Sequence, residues 1–159
     1  ITDKPEGTLF MRYADCVPLV FYDPVKRVIA LAHAGWMGTV LKVGQVTVEA
    51  MHERYGSESK NIIAGVGPSI GPDNYEVGKD VIKAARDAFG EEAEAMLPKF
   101  GSSTHFDLWK ANQHVLDLAG VRQIEQSKVC TYENVQDWYS HRAEKGKTGR
   151  FGALLALEQ

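Results

Sequence analysis

Apolar residues fall in short runs separated by polar turns, and their spacing changes along the chain. Leu9 to Tyr13 predicts a strand, entered from the polar, turn-prone residues 1–8. The runs after Asp15-Cys16 and from Ile29 to Ala34 predict two more, joined as an antiparallel hairpin. Asp23-Pro24 starts the turn, and Lys26 and Arg27 keep its tip in water. After Trp36 and Gly38 the spacing becomes helical through Tyr55. Val40, Val43, Thr47, Ala50, Met51 and Arg54 fall near one face, and Gly56 stops the helix. Asn61 to Gly67 reads as a buried strand. It runs into an irregular stretch to Tyr75 in which Pro68, Gly71 and Pro72 bar any regular element.

A second amphipathic helix is predicted from about Lys79 to Phe89, stopped by Gly90, with a further turn or two through Leu97. Phe100 to Thr104 reads as loop or short strand. Asp107 is a good N-cap for a helix from Leu108 to Ala119. Lys128–Tyr132 and Trp138–Arg142 read as strands, residues 143–148 as a charged loop, and Arg150–Leu157 as the last strand. Strands and helices intermix without strict βαβ alternation. The expected class is therefore α+β, a mixed β-sheet core with flanking helices, over one domain covering residues 1–159.

Composition narrows the function classes. Hydrophobic residues make up 44% and charged residues 25%, ordinary values for a chain that buries its own core. A net charge of −3 argues against a nucleic-acid surface. No apolar run reaches the roughly 20 residues a bilayer requires, and Ile1 onward shows no signal-peptide pattern. The two cysteines, Cys16 and Cys130, are expected as free thiols of a reducing, cytoplasmic compartment.

Three stretches carry candidate chemistry. Antiparallel pairing brings Asp15 and Cys16, at the start of one hairpin strand, beside His33 at the end of the other. Paired strands lie roughly 4.8 Å apart, so thiolate and imidazole can begin a zinc or copper site. Catalytic zinc usually keeps three protein ligands. His105 and His141 are the candidates for a third, whereas His52 and His114 lie within helices and read as surface residues. The second stretch, Ser140 to Arg150, gathers Arg142, Lys145, Lys147 and Arg150 among glycines and can hold a phosphate or carboxylate. Its Gly146-Lys147-Thr148 is not a P-loop, because His141 stands where that motif needs its first glycine. The third, Gly67 to Glu76, reads as a pocket wall with Tyr75 free to stack on a ring. Ser69 lies outside any nucleophile elbow.

Together these stretches resemble a known family. Ala-Asp-Cys-Val-Pro-Leu is followed by His-Ala-Gly-Trp-x-Gly, with His33 seventeen residues after Cys16. Gly-Pro-Ser-Ile-Gly-Pro, Tyr75-Glu-Val-Gly, Phe106-Asp-Leu-Trp, Cys130-Thr and Ser140-His-Arg…Gly-Lys-Thr-Gly-Arg150 complete the set, which spans residues 9–157. The pattern is similar to the bacterial laccase-domain family (YfiH/YlmD type). Its members have been described as polyphenol oxidases and as purine nucleoside phosphorylases with adenosine deaminase activity.

The resemblance implies an α-β sandwich and a metal, zinc or alternatively copper, held by two histidines and one cysteine. Cys16 and His33 match two of these ligands. The family's other histidine lies in a Val-His-Gly-like stretch upstream of where this sequence starts, so the chain is expected to be the C-terminal portion of a family domain. Met37 stands where the family usually carries arginine.

The implied substrates are purine nucleosides and phosphate. Phosphate would be held by Arg142 and Arg150, the base would lie against Tyr75, and Asp15 would orient a water or a ligand. Two alternatives stay open, a copper-dependent polyphenol oxidase and a portion that keeps the fold without catalysis. Five histidines are few for a multi-copper oxidase.

Overall fold

The apolar run after Cys16 forms the strand on which the molecule is assembled. In the computed structural model, which describes residues 1–158, it is β2 (Val17–Asp23). It pairs antiparallel with β3 (Val28–Ala34) on one side and with β4 (Ile63–Val66) on the other. β4 in turn pairs parallel with β7 (Gln123–Gln126). The result is a mixed four-stranded sheet in the order β3-β2-β4-β7, as the intermixed sequence pattern predicts.

Asp23 closes the hairpin turn: its Oδ1 accepts hydrogen bonds from the amides of Val25 (2.9 Å) and Lys26 (3.1 Å). β1 (Thr8–Tyr13) pairs antiparallel with β8 (Phe151–Ala156) as a separate ribbon. β5 (Lys99–Phe100) and β6 (Ser103–Thr104) make a minimal hairpin.

Side chains alternate across a strand. Val17, Leu19 and Phe21 of β2, with Val28, Ala30, Ala32 and Ala34 of β3, enter the core on one face. Two helices supply the other side of that core, α2 (Val43–Tyr55) through Val48 and Met51, and α4 (Leu108–Leu118) through Ala111, Val115 and Leu116. Gly44 lets α2 come close. A β-carbon there would stand 3.2 Å from Leu116 Cδ2 and 3.4 Å from Leu19 Cδ1. α3 (Lys79–Phe89) adds Val81, Ala85 and Phe89 and ends at Gly90, where φ is +57°. The opposite sheet face carries His33, against which Tyr13 of the β1–β8 ribbon stacks at 4.6 Å.

Three expectations need correction. The helix expected from Trp36 to Tyr55 is two, α1 (Trp36–Val40) and α2, because Lys42 takes a left-handed conformation between them. Its buried face is Gly44, Thr47, Val48 and Met51, and Arg54 is exposed.

The strands expected at 128–132 and 138–142 do not form. Cys130 makes one bridge to Ser69, and the amides of Ser140, Arg142 and Ala143 donate to side chains of Glu144, Asp15 and Ser140. Those side-chain acceptors take the donors a ladder would need. β7 escaped notice because Ile124 is the one apolar residue in an otherwise polar edge strand.

Leu19 is fully buried between sheet and helices. Leu19→Ala is expected to lower the unfolding free energy by about 3 kcal/mol, measured by denaturant titration.

Candidate active site

Between β1 and β2 the chain turns a sharp corner at Asp15, whose φ is +79°. The left-handed region is unfavourable for most side chains and easiest for Asn, Asp and Gly. Three contacts fix the corner. The Asp15 carbonyl accepts from the Ile70 amide (3.0 Å), Oδ1 from the Thr131 hydroxyl (2.8 Å), and Oδ2 from the Arg142 amide (2.7 Å).

Cys16 follows the corner, with its thiol over Gly35. A β-carbon at position 35 would come within 2.8 Å of Sγ. The register places Val17 opposite Ala34 and Pro18 opposite His33. By the two-residue period Cys16 and His33 therefore share one sheet face. Both line a pocket of about 490 Å³.

The other walls arrive from distant parts of the sequence. β1 contributes Arg12, and Trp36 opens α1. Tyr75 ends the irregular 67–75 loop. That loop is fixed underneath by Ser69, whose Oγ accepts from Trp109 Nε1 (2.6 Å), and by Cys130, whose Sγ accepts from the Gly71 amide (3.2 Å).

His141, Arg142 and Arg150 come from the C-terminal turns. Arg142 Nη1 donates to the Glu76 carbonyl (2.9 Å), and its guanidinium lies 5.2 Å from the centre of the Tyr75 ring. Among the described residues Arg150 donates only to the nearby carbonyls of Thr148 and Gly149.

Electrostatics follow from partial burial beside these cations. Burial pushes the Cys16 thiol up, Asp15 adds to the rise, and Arg150 opposes it. Burial lowers the basicity of His33, which favours the neutral imidazole that a metal or proton acceptor requires. The Tyr75 hydroxyl is pushed up to about 12, chiefly by burial, so it stays a hydrogen-bond donor. Thiol and neutral imidazole suit zinc or copper in donor type. Among the described residues, however, no three His, Cys, Asp or Glu side chains converge closely enough to close a metal site.

Comparison with known proteins places this geometry. The family model described as multi-copper polyphenol oxidoreductase laccase matches residues 1–158. The chain belongs to that laccase family. It is 43% identical over 157 residues to a purine nucleoside phosphorylase of Deinococcus radiodurans, covering 99% of this chain and 60% of that one. It is 37% identical over 161 residues to the purine nucleoside phosphorylase YlmD of Bacillus subtilis, covering 99% of this chain and 58% of the relative. The crystal structure of the Bacillus licheniformis hypothetical protein YfiH superposes with a TM-score of 0.93 at 35% identity, covering 98% of this chain and 60% of that one. The chain thus spans about three-fifths of the length of the curated relatives it matches.

Within this laccase-family fold, the six residues singled out from sequence, Asp15, Cys16, His33, Tyr75, Arg142 and Arg150, all line the one pocket. His141 lines it too, whereas His105 does not. The His105 ring is buried between Ser103 Oγ (3.1 Å) and the Pro72 carbonyl (2.7 Å). His52 lies exposed on α2 against the Ser57 carbonyl, and His114 packs edge-on to Phe89. Met37 is exposed on α1 and does not line the pocket.

Sequence reasoning missed Arg12 and Trp36. Arg12 sits on β1 one residue before buried Tyr13, and the long-range pairing of β1 with β8, not a local pattern, brings it beside the site. Both cysteines are free, Cys16 partly accessible and Cys130 buried. Among the described residues no helix is long and apolar enough to cross a membrane.

These environments predict thiol chemistry. In the folded, chelator-treated protein an aromatic disulfide reagent should modify Cys16 first and Cys130 only after unfolding. Because the Cys16 thiol titrates high, its rate should keep climbing above pH of about 8.5, where a free cysteine levels off. Gly35 has ordinary extended angles, φ −71° and ψ −176°, so Gly35→Ala should fold yet displace the thiol and change that rate. Stopped-flow absorbance reads both effects.

Proposed function

We propose that this pocket performs metal-dependent phosphorolysis of purine nucleosides, converting adenosine or inosine and phosphate to the base and ribose 1-phosphate, with adenosine deaminase activity at the same site. One observation carries the reading: three guanidinium groups, Arg12, Arg142 and Arg150, line a single pocket with the Cys16–His33 pair. The names of the relatives from Deinococcus radiodurans and Bacillus subtilis support the same reading.

In this reading inorganic phosphate is held by Arg142 and Arg150, with Arg12 as a third cation. Guanidinium groups match phosphate oxygens in pairs and cannot lose their charge. A phosphate oxygen attacks the anomeric carbon, the C–N glycosidic bond breaks, and its electron pair leaves on the base. Fixed positive charge holds the nucleophile in line and avoids reorganisation during the step. The purine lies against Tyr75, whose ring is already positioned by Arg142. Cys16 and His33 would be two of the ligands of the metal, zinc or alternatively copper, which when bound would supply a Lewis acid for the oxygen of water or substrate.

The family description favours a second reading, copper-dependent oxidation of phenols. The two separate cleanly. Phosphorolysis releases hypoxanthine from inosine only when phosphate is present, whereas oxidation consumes dioxygen with a phenol and ignores phosphate.

The expected result is phosphate-dependent hypoxanthine release, with about one zinc per chain by elemental analysis and loss of both in Cys16→Ala. Arg142→Ala should raise the KM for phosphate by roughly 10- to 100-fold, the loss of one charge-assisted hydrogen bond, with a smaller change in kcat. Release independent of phosphate would overturn the phosphorylase reading.

A further inference from the structure

Asp15 sits next to a proposed metal ligand and lines the pocket, so its carboxylate invites the role of general base or water-orienting group. Its surroundings say otherwise. The residue is 7% exposed, and each carboxylate oxygen already accepts a short hydrogen bond from within the protein. Neither donor is a substrate group. One is the hydroxyl of Thr131, which is fully buried, and the other is the backbone amide of Arg142.

The same residue joins four pieces of chain that share no regular element. Its own backbone, held at φ +79°, turns β1 into β2 and sets the direction of Cys16. Its carbonyl anchors Ile70, in the loop that ends at Tyr75. Thr131 continues the chain of contacts, since its amide donates to the Ser69 carbonyl (3.0 Å). The Arg142 amide fixes the root of the side chain that reaches Glu76 and Tyr75. A left-handed non-glycine residue costs on the order of 1 kcal/mol or more and persists only where its neighbours over-determine it.

We infer that Asp15 is the positioning residue of this pocket: it holds Cys16, the Tyr75 loop and Arg142 in mutual register and exchanges no proton with substrate. This rests on the phosphorolysis reading only for its kinetic readouts. An amide can replace the carboxylate in this role. In Asp15→Asn, Oδ1 accepts from the Arg142 amide while Nδ2 donates to Thr131 Oγ1, because the hydroxyl rotates to act as acceptor. Asparagine also tolerates the left-handed angle.

The test compares Asp15→Asn, Asp15→Ala and Thr131→Val. Asp15→Ala should raise the phosphate KM about tenfold, more than it lowers kcat, with Thr131→Val a few-fold in the same direction. Asp15→Asn should recover most of that loss and leave the pH profile of kcat/KM in place. A proton-transfer role predicts the opposite. Asparagine would then lose on the order of 10²- to 10⁴-fold in kcat and change the profile, overturning the inference.

Limited trypsin digestion at Lys145 and Lys147, both exposed, supplies a readout independent of turnover. Cleavage should be fast in Asp15→Ala, intermediate in Thr131→Val, and slow in both wild type and Asp15→Asn. Equal rates in all four would also overturn it. Should the wild type release no base, the phosphorolysis reading falls while the digestion order still decides the role of Asp15. Should Asp15→Ala not fold, Thr131→Val and Asp15→Asn carry the comparison alone.

Discussion

Val17 lies opposite Ala34 and Pro18 opposite His33, and this pairing underlies everything else in the molecule. A slip by one residue would exchange the two faces of β2 against β3. Leu19 and Phe21 would leave the core and the thiol and imidazole would separate. The burial of Val17, Leu19 and Phe21 against α2 and α4 therefore does two things at once. It holds the sheet together, and it locks the opposite face, where Cys16 and His33 stand, into one register. Asp23 supports it from the far end by capping the turn through the amides of Val25 and Lys26.

Against this rigid face, apart from Arg12 on β1 and Trp36 on α1, the remaining walls are loops, and the order of those loops comes from side chains rather than ladders. Ser69 and Trp109, Cys130 and the Gly71 amide, and Asp15 with Thr131 and the Arg142 amide form a set of buried and half-buried contacts. Polar groups so placed are costly to leave unpaired, which makes them good at selecting one loop arrangement. The cations, by contrast, stay exposed: Arg12, Arg142 and Arg150 all reach solvent. A pocket with a fixed sheet face, ordered walls and solvent-accessible arginines suits a small anionic reactant that enters from water.

The hairpin, the strand before it and the helices after it were legible because their signals are local. Asp23-Pro24 marks a turn, Gly56 and Gly90 end helices with positive φ, and Asp107 caps α4 through the Lys110 amide. The site residues were legible through motif resemblance and hairpin geometry. What failed depended on distant partners. Lys128–Tyr132 and Trp138–Arg142 contain good strand formers, yet the Thr131 amide donates to the Ser69 carbonyl and the amides of Ser140 and Arg142 donate to the side chains of Glu144 and Asp15. Arg12 was overlooked for the same reason: only the pairing of β1 with β8 shows that it belongs beside Arg150.

That pairing joins the two ends of the described chain, Thr8 facing Ala156 and Arg12 facing Gly152. Contacts so far apart in sequence are the slowest to form, because the whole intervening chain must first be brought into place. The hairpin that carries Cys16 and His33 can assemble early from neighbouring residues. The positive rim contributed by Arg12 and Arg150 can assemble only when β8 closes onto β1. A folding intermediate would thus display the thiol and imidazole before it could capture an anion, and ligand capture becomes a property of the completed fold alone.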